Sequence, residues 1–149
     1  MAVDGGFRVE SLDHVEFYVP DQVEAAEWYA DRLGFQPLDA FAGWIDGGPL
    51  MIAVDGGRAK LALFQGEPAG QRPAVGYQRV AFRVDGPGFR AFQRHVADHP
   101  VCDAAGGPLT HLEVVDHGLA LSLYFSDPWG HPLEVTTYVL TQGHGCGGA

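Results

Sequence analysis

His14 and Glu134 are the two side chains whose types could do chemistry together. An imidazole and a carboxylate make a ligand set for a borderline divalent cation such as iron, manganese, nickel or zinc. Each lies in an alternating run. Over residues 12–19, Val15, Phe17 and Val19 point one way and His14, Glu16 and Tyr18 the other. Over residues 116–135 the pattern is a strand, a tight turn at Asp127-Pro-Trp-Gly130 and a second strand that carries Glu134. Leu121, Leu123, Phe125, Leu133, Val135 and Thr137 form one face of this hairpin. Ser122, Tyr124, Ser126, Glu134 and Thr136 form the other.

The elements that must position these residues recur. The strand at 12–19 stops at Pro20, and Asp21-Gln-Val-Glu24 has capping-box spacing for a helix ending at Leu33 before Gly34. Val23, Ala26, Ala30 and Leu33 are its expected buried stripe. Strands are expected at 41–45, 50–54 and 58–64, with turns at 46–49 and 55–57. After a Pro- and Gly-rich linker near 66–73 the order begins again. Residues 77–84 repeat the first strand with Val80, Phe82 and Val84 facing the helix, and Gly86-Pro87 opens a helix with Phe89, Phe92 and Val96 inward, closed by Pro100. Strands are expected at 101–105, 112–116, 119–125 and 133–139.

This is a duplication of a βαβββ unit. The expected class is α+β: two tandem βαβββ modules, about 10–66 and 76–140, joined by a linker at about 67–75 and followed by a flexible tail at 141–149, in one domain with a cleft-bearing mixed sheet. Matching the halves puts four positions at equivalent places: His14 and Arg79 on the opening strands, Ala62 and Glu134 on the closing ones. Pseudo-twofold symmetry would gather them in one cleft or across a dimer. Arg79, permanently cationic, could instead pair with Glu134 without any metal. Trp44, Phe64, Phe41 and Met51 suit either an apolar substrate pocket or core packing. His131, His95 and His99 are expected to face solvent.

The totals narrow the class. With 149 residues the chain suits one domain, and no run of about 18 apolar residues is available to span a membrane. No apolar leader precedes the first strand, so a cytoplasmic protein is expected. A net charge of −10, from 19 acids against 9 bases, repels phosphate backbones, so nucleic acid is not an expected partner. Cys102 and Cys146 have no disulfide or zinc-ribbon spacing and are taken as free thiols.

Leu-Asp-His-Val at 12–15, Trp-Tyr-Ala-Asp-Arg-Leu-Gly-Phe at 28–35 and Asp-Pro-Trp-Gly-His-Pro-Leu-Glu at 127–134, set in the duplicated unit, resemble the vicinal oxygen chelate superfamily. That group holds glyoxalase I, extradiol dioxygenases, fosfomycin-resistance enzymes and bleomycin-binding proteins. The resemblance implies the glyoxalase/bleomycin-resistance/dioxygenase fold, a small-molecule ligand, a homodimer and a divalent metal held by His14 and Glu134. Arg79 and Ala62 occupy the places where members carry further ligands. Asp116-His117 with Ser122 and Tyr124 most resembles the dioxygenases, which implies acid/base and substrate-orienting roles for His117 and Tyr124. Two functions follow as expectations. One is a metal-dependent lyase or dioxygenase, with Arg79, Trp44 and Phe64 binding substrate. The other is a metal-free protein that sequesters an antibiotic or metabolite, with Arg79 paired to Glu134.

Overall fold

The computed structural model describes residues 11–67 and 79–139. The first residues of the repeated strand, Tyr77 and Gln78, most of the linker and the Cys146 tail lie outside them. The chain divides into two compact units, Met1–Ala69 and Gly70–Ala149.

In the first unit β1 (His14–Val19) leads into α1 (Gln22–Leu33), and β2 (Gln36–Pro37), β3 (Leu50–Val54) and β4 (Ala59–Gln65) complete a sheet of order β1-β4-β3-β2. β1 and β4 run parallel, with His14 opposite Lys60, Glu16 opposite Ala62 and Tyr18 opposite Phe64. Asp21 caps α1 by accepting from the Val23 and Glu24 amides, and Gly34 ends it at φ 77°, in the left-handed region that favours glycine. The capping and both ends of α1 follow the sequence reading. Its buried stripe does so only in part: Ala26 is buried as expected, but Val23 is 53% exposed, and the helix also buries Gln22, Ala25, Trp28 and Tyr29. Two large rings decide the rotation. Tyr29 is fully buried between Phe17 and Phe35, with ring centroids 6.2 and 5.9 Å away. Their apolar area outweighs that of Val23.

Two further expectations are corrected. Residues 41–45 do not form a strand; Asp39–Trp44 is a 3-10 helix. Gly43 and the short Ala residues weaken any strand here, and the Leu38 amide already bonds to the Met51 carbonyl, closing off the sheet edge. Residues 36–37 form a short strand that periodicity did not reveal.

In the second unit β5 (Val80–Arg83), α2 (Gly86–Asp98), β6 (Val101–Cys102), β7 (Pro108–Leu109), β8 (Val115–Asp116), β9 (Ala120–Ser126) and β10 (Pro132–Tyr138) follow in order. The sheet runs β5-β10-β9-β6-β7, and β8 also pairs with β9. Again the opening and closing strands are parallel, with Glu134 opposite Ala81. Phe89, Phe92 and Val96 of α2 cover Leu123, Phe125, Leu133 and Val135, as their spacing predicts; Phe92 and Phe125 lie 5.4 Å apart. The strands expected at 101–105 and 112–116 shrink to two residues each.

The turn between β9 and β10 is tied by a buried acid. Asp127, fully buried, accepts from the Trp129 and His131 amides at 2.9 Å each and from His131 Nδ1 at 2.6 Å. His131 is therefore half-buried as a partner of Asp127 rather than solvent-facing. His95 and His99 are also partly covered and stack on each other at 4.0 Å.

Replacing Asp127 by alanine removes three accepted hydrogen bonds at a buried site, and about 2–4 kcal/mol of unfolding free energy is expected to go with them. Asp21→Ala, which removes only an exposed helix cap, is expected to cost about 1 kcal/mol. Urea unfolding of the two variants checks the order, and an Asp127→Ala loss no larger than that of Asp21→Ala would refute the turn as a fixed point.

Candidate functional site

Alternation along β1, β4 and β3 sends one set of side chains to α1 and leaves the other set to line a pocket on the opposite face. The registers align His14 with Lys60, and Glu16 with Ala62 and then Met51, and put Phe64 beside Tyr18. The 3-10 helix brings Phe41 and Trp44 over this face, their rings 4.6 Å apart edge to face. Together with Asp13 and Pro49 these residues enclose an open pocket of about 500 Å3. His14, Trp44 and Phe64, three of the residues singled out from the sequence, thus meet within the first unit. Trp44 is half exposed at its mouth.

One wall of the pocket depends on contacts the sequence did not announce. Gln22, buried in the first turn of α1, donates from Nε2 to the carbonyls of Gly48 and Leu63, each at 2.7 Å, and so ties the 46–49 turn to β4. A Cβ on Gly48 would come within 2.5 Å of the Trp44 carbonyl oxygen, so only glycine allows this approach.

The rim is charged. Asp13 accepts from Lys60 Nζ at 2.9 Å through Oδ1 and from His14 Nδ1 at 2.8 Å through Oδ2. Lys60, the single lysine of the chain, is only 15% exposed. Because a carboxylate only accepts, Nδ1 of His14 carries the proton and Nε2 is turned toward Glu16, whose Oε1 lies 3.5 Å away. The hydrogen bond to Asp13 is the main cause that raises the pKa of His14 above the usual histidine value, with Glu16 adding to it against some desolvation. Asp13 is lowered in turn, by His14 first and Lys60 second. A ring held at Nδ1 by a carboxylate, with Nε2 facing an open pocket, is the arrangement of metal-ligating imidazoles, so His14 fits a metal.

The second unit carries the other predicted residues on the corresponding face. Glu134 Oε1 accepts from Ser122 Oγ at 2.6 Å, and Ser122 also lies 3.2 Å from Thr136 Oγ1. Its second oxygen has no hydrogen bond among the described residues, which leaves it a usable donor atom. Arg79 does not pair with Glu134. Its guanidinium lies 4.5 Å over the ring of Tyr124, where the aromatic face attracts the cation. Tyr124 Oη in turn shares a 2.7 Å hydrogen bond with His117 Nε2. The Asp116 side chain caps the Gly118 amide in the β8–β9 turn, and this fixes His117 within reach of Tyr124. Arg79, Tyr124 and His117 thus form one connected group, while Glu134 belongs to a hydroxyl-lined group beside it.

Two units, each with a helix on one face and its opening strand paired in parallel with its last strand, define a duplicated α+β architecture. The chain belongs to the Glyoxalase/Bleomycin resistance protein/Dioxygenase superfamily, whose model matches residues 11–135. No curated protein sequence matches it. Solved structures with the same fold include the fosfomycin resistance protein FosX from Mesorhizobium loti, 20% identical over 90% of this chain and 97% of that one, with a TM-score of 0.57. A glyoxalase/dioxygenase from Nostoc punctiforme is 17% identical, covers 93% of this chain and 98% of its own, and has a TM-score of 0.61. The oxidase ChaP-H2 is 22% identical over 89% and 96%, also at 0.61.

The shifts at Asp13 and His14 have a readable pH signature. A group with a raised folded pKa contributes stability below its unfolded value, about 6.5 for histidine, and loses it as pH rises through the folded value. Asp13, lowered from 3.8, contributes above that value and loses its contribution as pH falls through the folded one. The pair therefore stabilises most from about pH 4 to about pH 6.5. In an NMR titration the His14 ring is expected to titrate above the ordinary histidine value, and Asp13→Asn is expected to bring it down. An unchanged midpoint in that variant would show that Asp13 does not hold the ring.

Proposed function

We propose that this protein is an enzyme of the lyase or dioxygenase kind that takes a small oxygen-bearing molecule into the first unit's pocket, with a divalent metal bound through His14. The observation that carries the reading is the pairing of His14, oriented by Asp13, with an aromatic pocket of about 500 Å3 on the same face. Pockets of this size that combine an apolar lining with a few polar groups are the usual form of a small-molecule site. A metal there would supply Lewis-acid polarisation of a ligand oxygen. Trp44 and Phe64 offer flat apolar walls, and Lys60 supplies a positive charge for an oxygen that carries negative charge.

Tyr124 and His117 are proposed as the proton-moving pair of the second unit. Their 2.7 Å hydrogen bond lets the phenol pass a proton to the imidazole, and Arg79 over the ring favours the phenolate that forms. Glu134 is proposed as a metal ligand through its second oxygen. Family membership, together with the names of the fosfomycin resistance protein and the oxidase that share the fold, supports a small-molecule ligand over a macromolecular one. Among the described residues no helix is long and apolar enough to cross a membrane. A cytoplasmic homodimer is proposed on the same family grounds, and sedimentation of the purified chain tests the dimer. The metal-free sequestering reading rested on an Arg79–Glu134 pair, which the described residues do not form.

Elemental analysis of protein purified without chelators is expected to find a stoichiometric divalent metal that His14→Ala abolishes, and Glu134→Ala tests that residue's own assignment. A parent protein that cannot be loaded with any divalent metal would overturn the metal reading and leave a binding protein. Tyr124→Phe is expected to lower turnover about 100-fold or more while metal content stays unchanged.

A further inference from the structure

The sheet register brings a second carboxylate to His14. β1 places His14 and Glu16 two residues apart, so both side chains leave the same face of the strand. The closing strand cannot contribute a donor at that level, because the residue opposite Glu16 is Ala62. Glu16 therefore occupies the polar ground that its neighbour leaves open, and it lines the same pocket as His14.

The distance between them is informative. Nε2 of His14 and Oε1 of Glu16 are 3.5 Å apart, at the outer limit for a hydrogen bond. With Nδ1 donating to Asp13, Nε2 of His14 and Oε1 of Glu16 are the two atoms that face each other on this side of the pocket. A cation with bonds of about 2.1 Å and tetrahedral angles holds its donors roughly 3.4 Å apart, which matches.

We infer that Glu16 is a metal ligand, forming with His14 a two-donor chelate on β1, and that Asp13 is the positioning carboxylate that holds the imidazole for it. This rests on the reading that His14 binds a metal and adds the identity of its partner on the same strand. Asp13 is not itself a donor, since both its oxygens are engaged, one by Lys60 and one by His14. The open pocket leaves the remaining coordination places to water or to oxygen atoms of a bound ligand. Imidazole plus carboxylate favours zinc, manganese, iron(II) or cobalt over calcium or magnesium.

The test is titration of the full chain with cobalt(II), read by its visible absorption and by calorimetry, in the parent and in Glu16→Gln, His14→Gln and Asp13→Asn. Circular dichroism confirms folding, which these rim positions should not disturb. Glu16→Gln is expected to weaken cobalt at least 10-fold and to change the absorption envelope, and Asp13→Asn to weaken it about 10- to 100-fold. If Glu16→Gln binds within twofold of the parent with an unchanged spectrum while His14→Gln loses the metal, the role of Glu16 fails and the His14 reading stands. If His14→Gln also binds like the parent, or the parent binds no cobalt, both fail.

Discussion

The parallel pairing of each opening strand with its closing strand is the constraint on which the rest depends. Val15, Phe17 and Val19 meet Leu61, Leu63 and Gln65 in one register, and Val80 and Phe82 meet Leu133 and Val135 in the other. Because side chains alternate with a period of two, burying those apolar sets also decides which polar residues share the opposite face. A slip of one residue would carry His14 and Glu16 beneath α1 and put Phe17 into solvent. Each large apolar side chain exposed this way forfeits about 1.5–3 kcal/mol, and an unpaired carboxylate buried in its place costs several more. The chemistry of the pocket is thus placed by residues that take no part in it.

With the register fixed, the two units diverge through a few substitutions at equivalent levels. The first unit has its carboxylate on the opening strand, Glu16 opposite Ala62, and the second has it on the closing strand, Glu134 opposite Ala81. Each unit therefore presents one acid and one alanine at that level, and two acids never face each other across a ladder, where like charges would repel. The same economy appears one step along. Lys60 stands opposite His14, and the aspartate before His14 satisfies both of them. In the second unit Arg79, at the place equivalent to His14, takes an aromatic ring as its partner instead of an acid.

Much of this was legible in the sequence, for reasons that differ from element to element. The duplication, both helices with their ends, and the long strands were readable because capping residues, glycine stops and period-two alternation act locally. His14 could be named as a candidate from its place on the polar face of its strand and from the family resemblance, and Trp44 and Phe64 as aromatic residues that suit a pocket as well as a core. The α1 stripe was misread since its rotation depends on Phe17 and Phe35, which lie outside the helix. The 3-10 helix at Asp39–Trp44 was taken for a strand because Phe41 and Ile45 carry strand-like residues, whereas its conformation answers to a backbone bond from Leu38 to Met51. Asp127, Gln22 and Gly48 were legible only as turn or helix-start residues, without the contacts they make. Gln22 reaches carbonyls far from it in sequence, whereas the contacts of Asp127 and Gly48 are local and gain their weight from burial and close approach. Glu16 was placed on the polar face from the start, but its nearness to Nε2 of His14 is a fact of rotamers, which periodicity does not reach.

The charge balance at the rim explains why a single lysine suffices. Asp13, His14 and Glu16 put two carboxylates and an imidazole on consecutive and near-consecutive residues, and two negative charges so close would push each other away from the ring. Lys60 draws Asp13 to one side, so that this carboxylate grips Nδ1 from below while Glu16 remains free to approach Nε2. Without the lysine, Asp13 would be held by the imidazole alone, at an exposed site where one such contact is worth little. The largely buried lysine side chain therefore does more than neutralise a charge. It separates the carboxylate that orients the imidazole from the one that shares its open side, and in doing so gives the two acids of one strand different tasks.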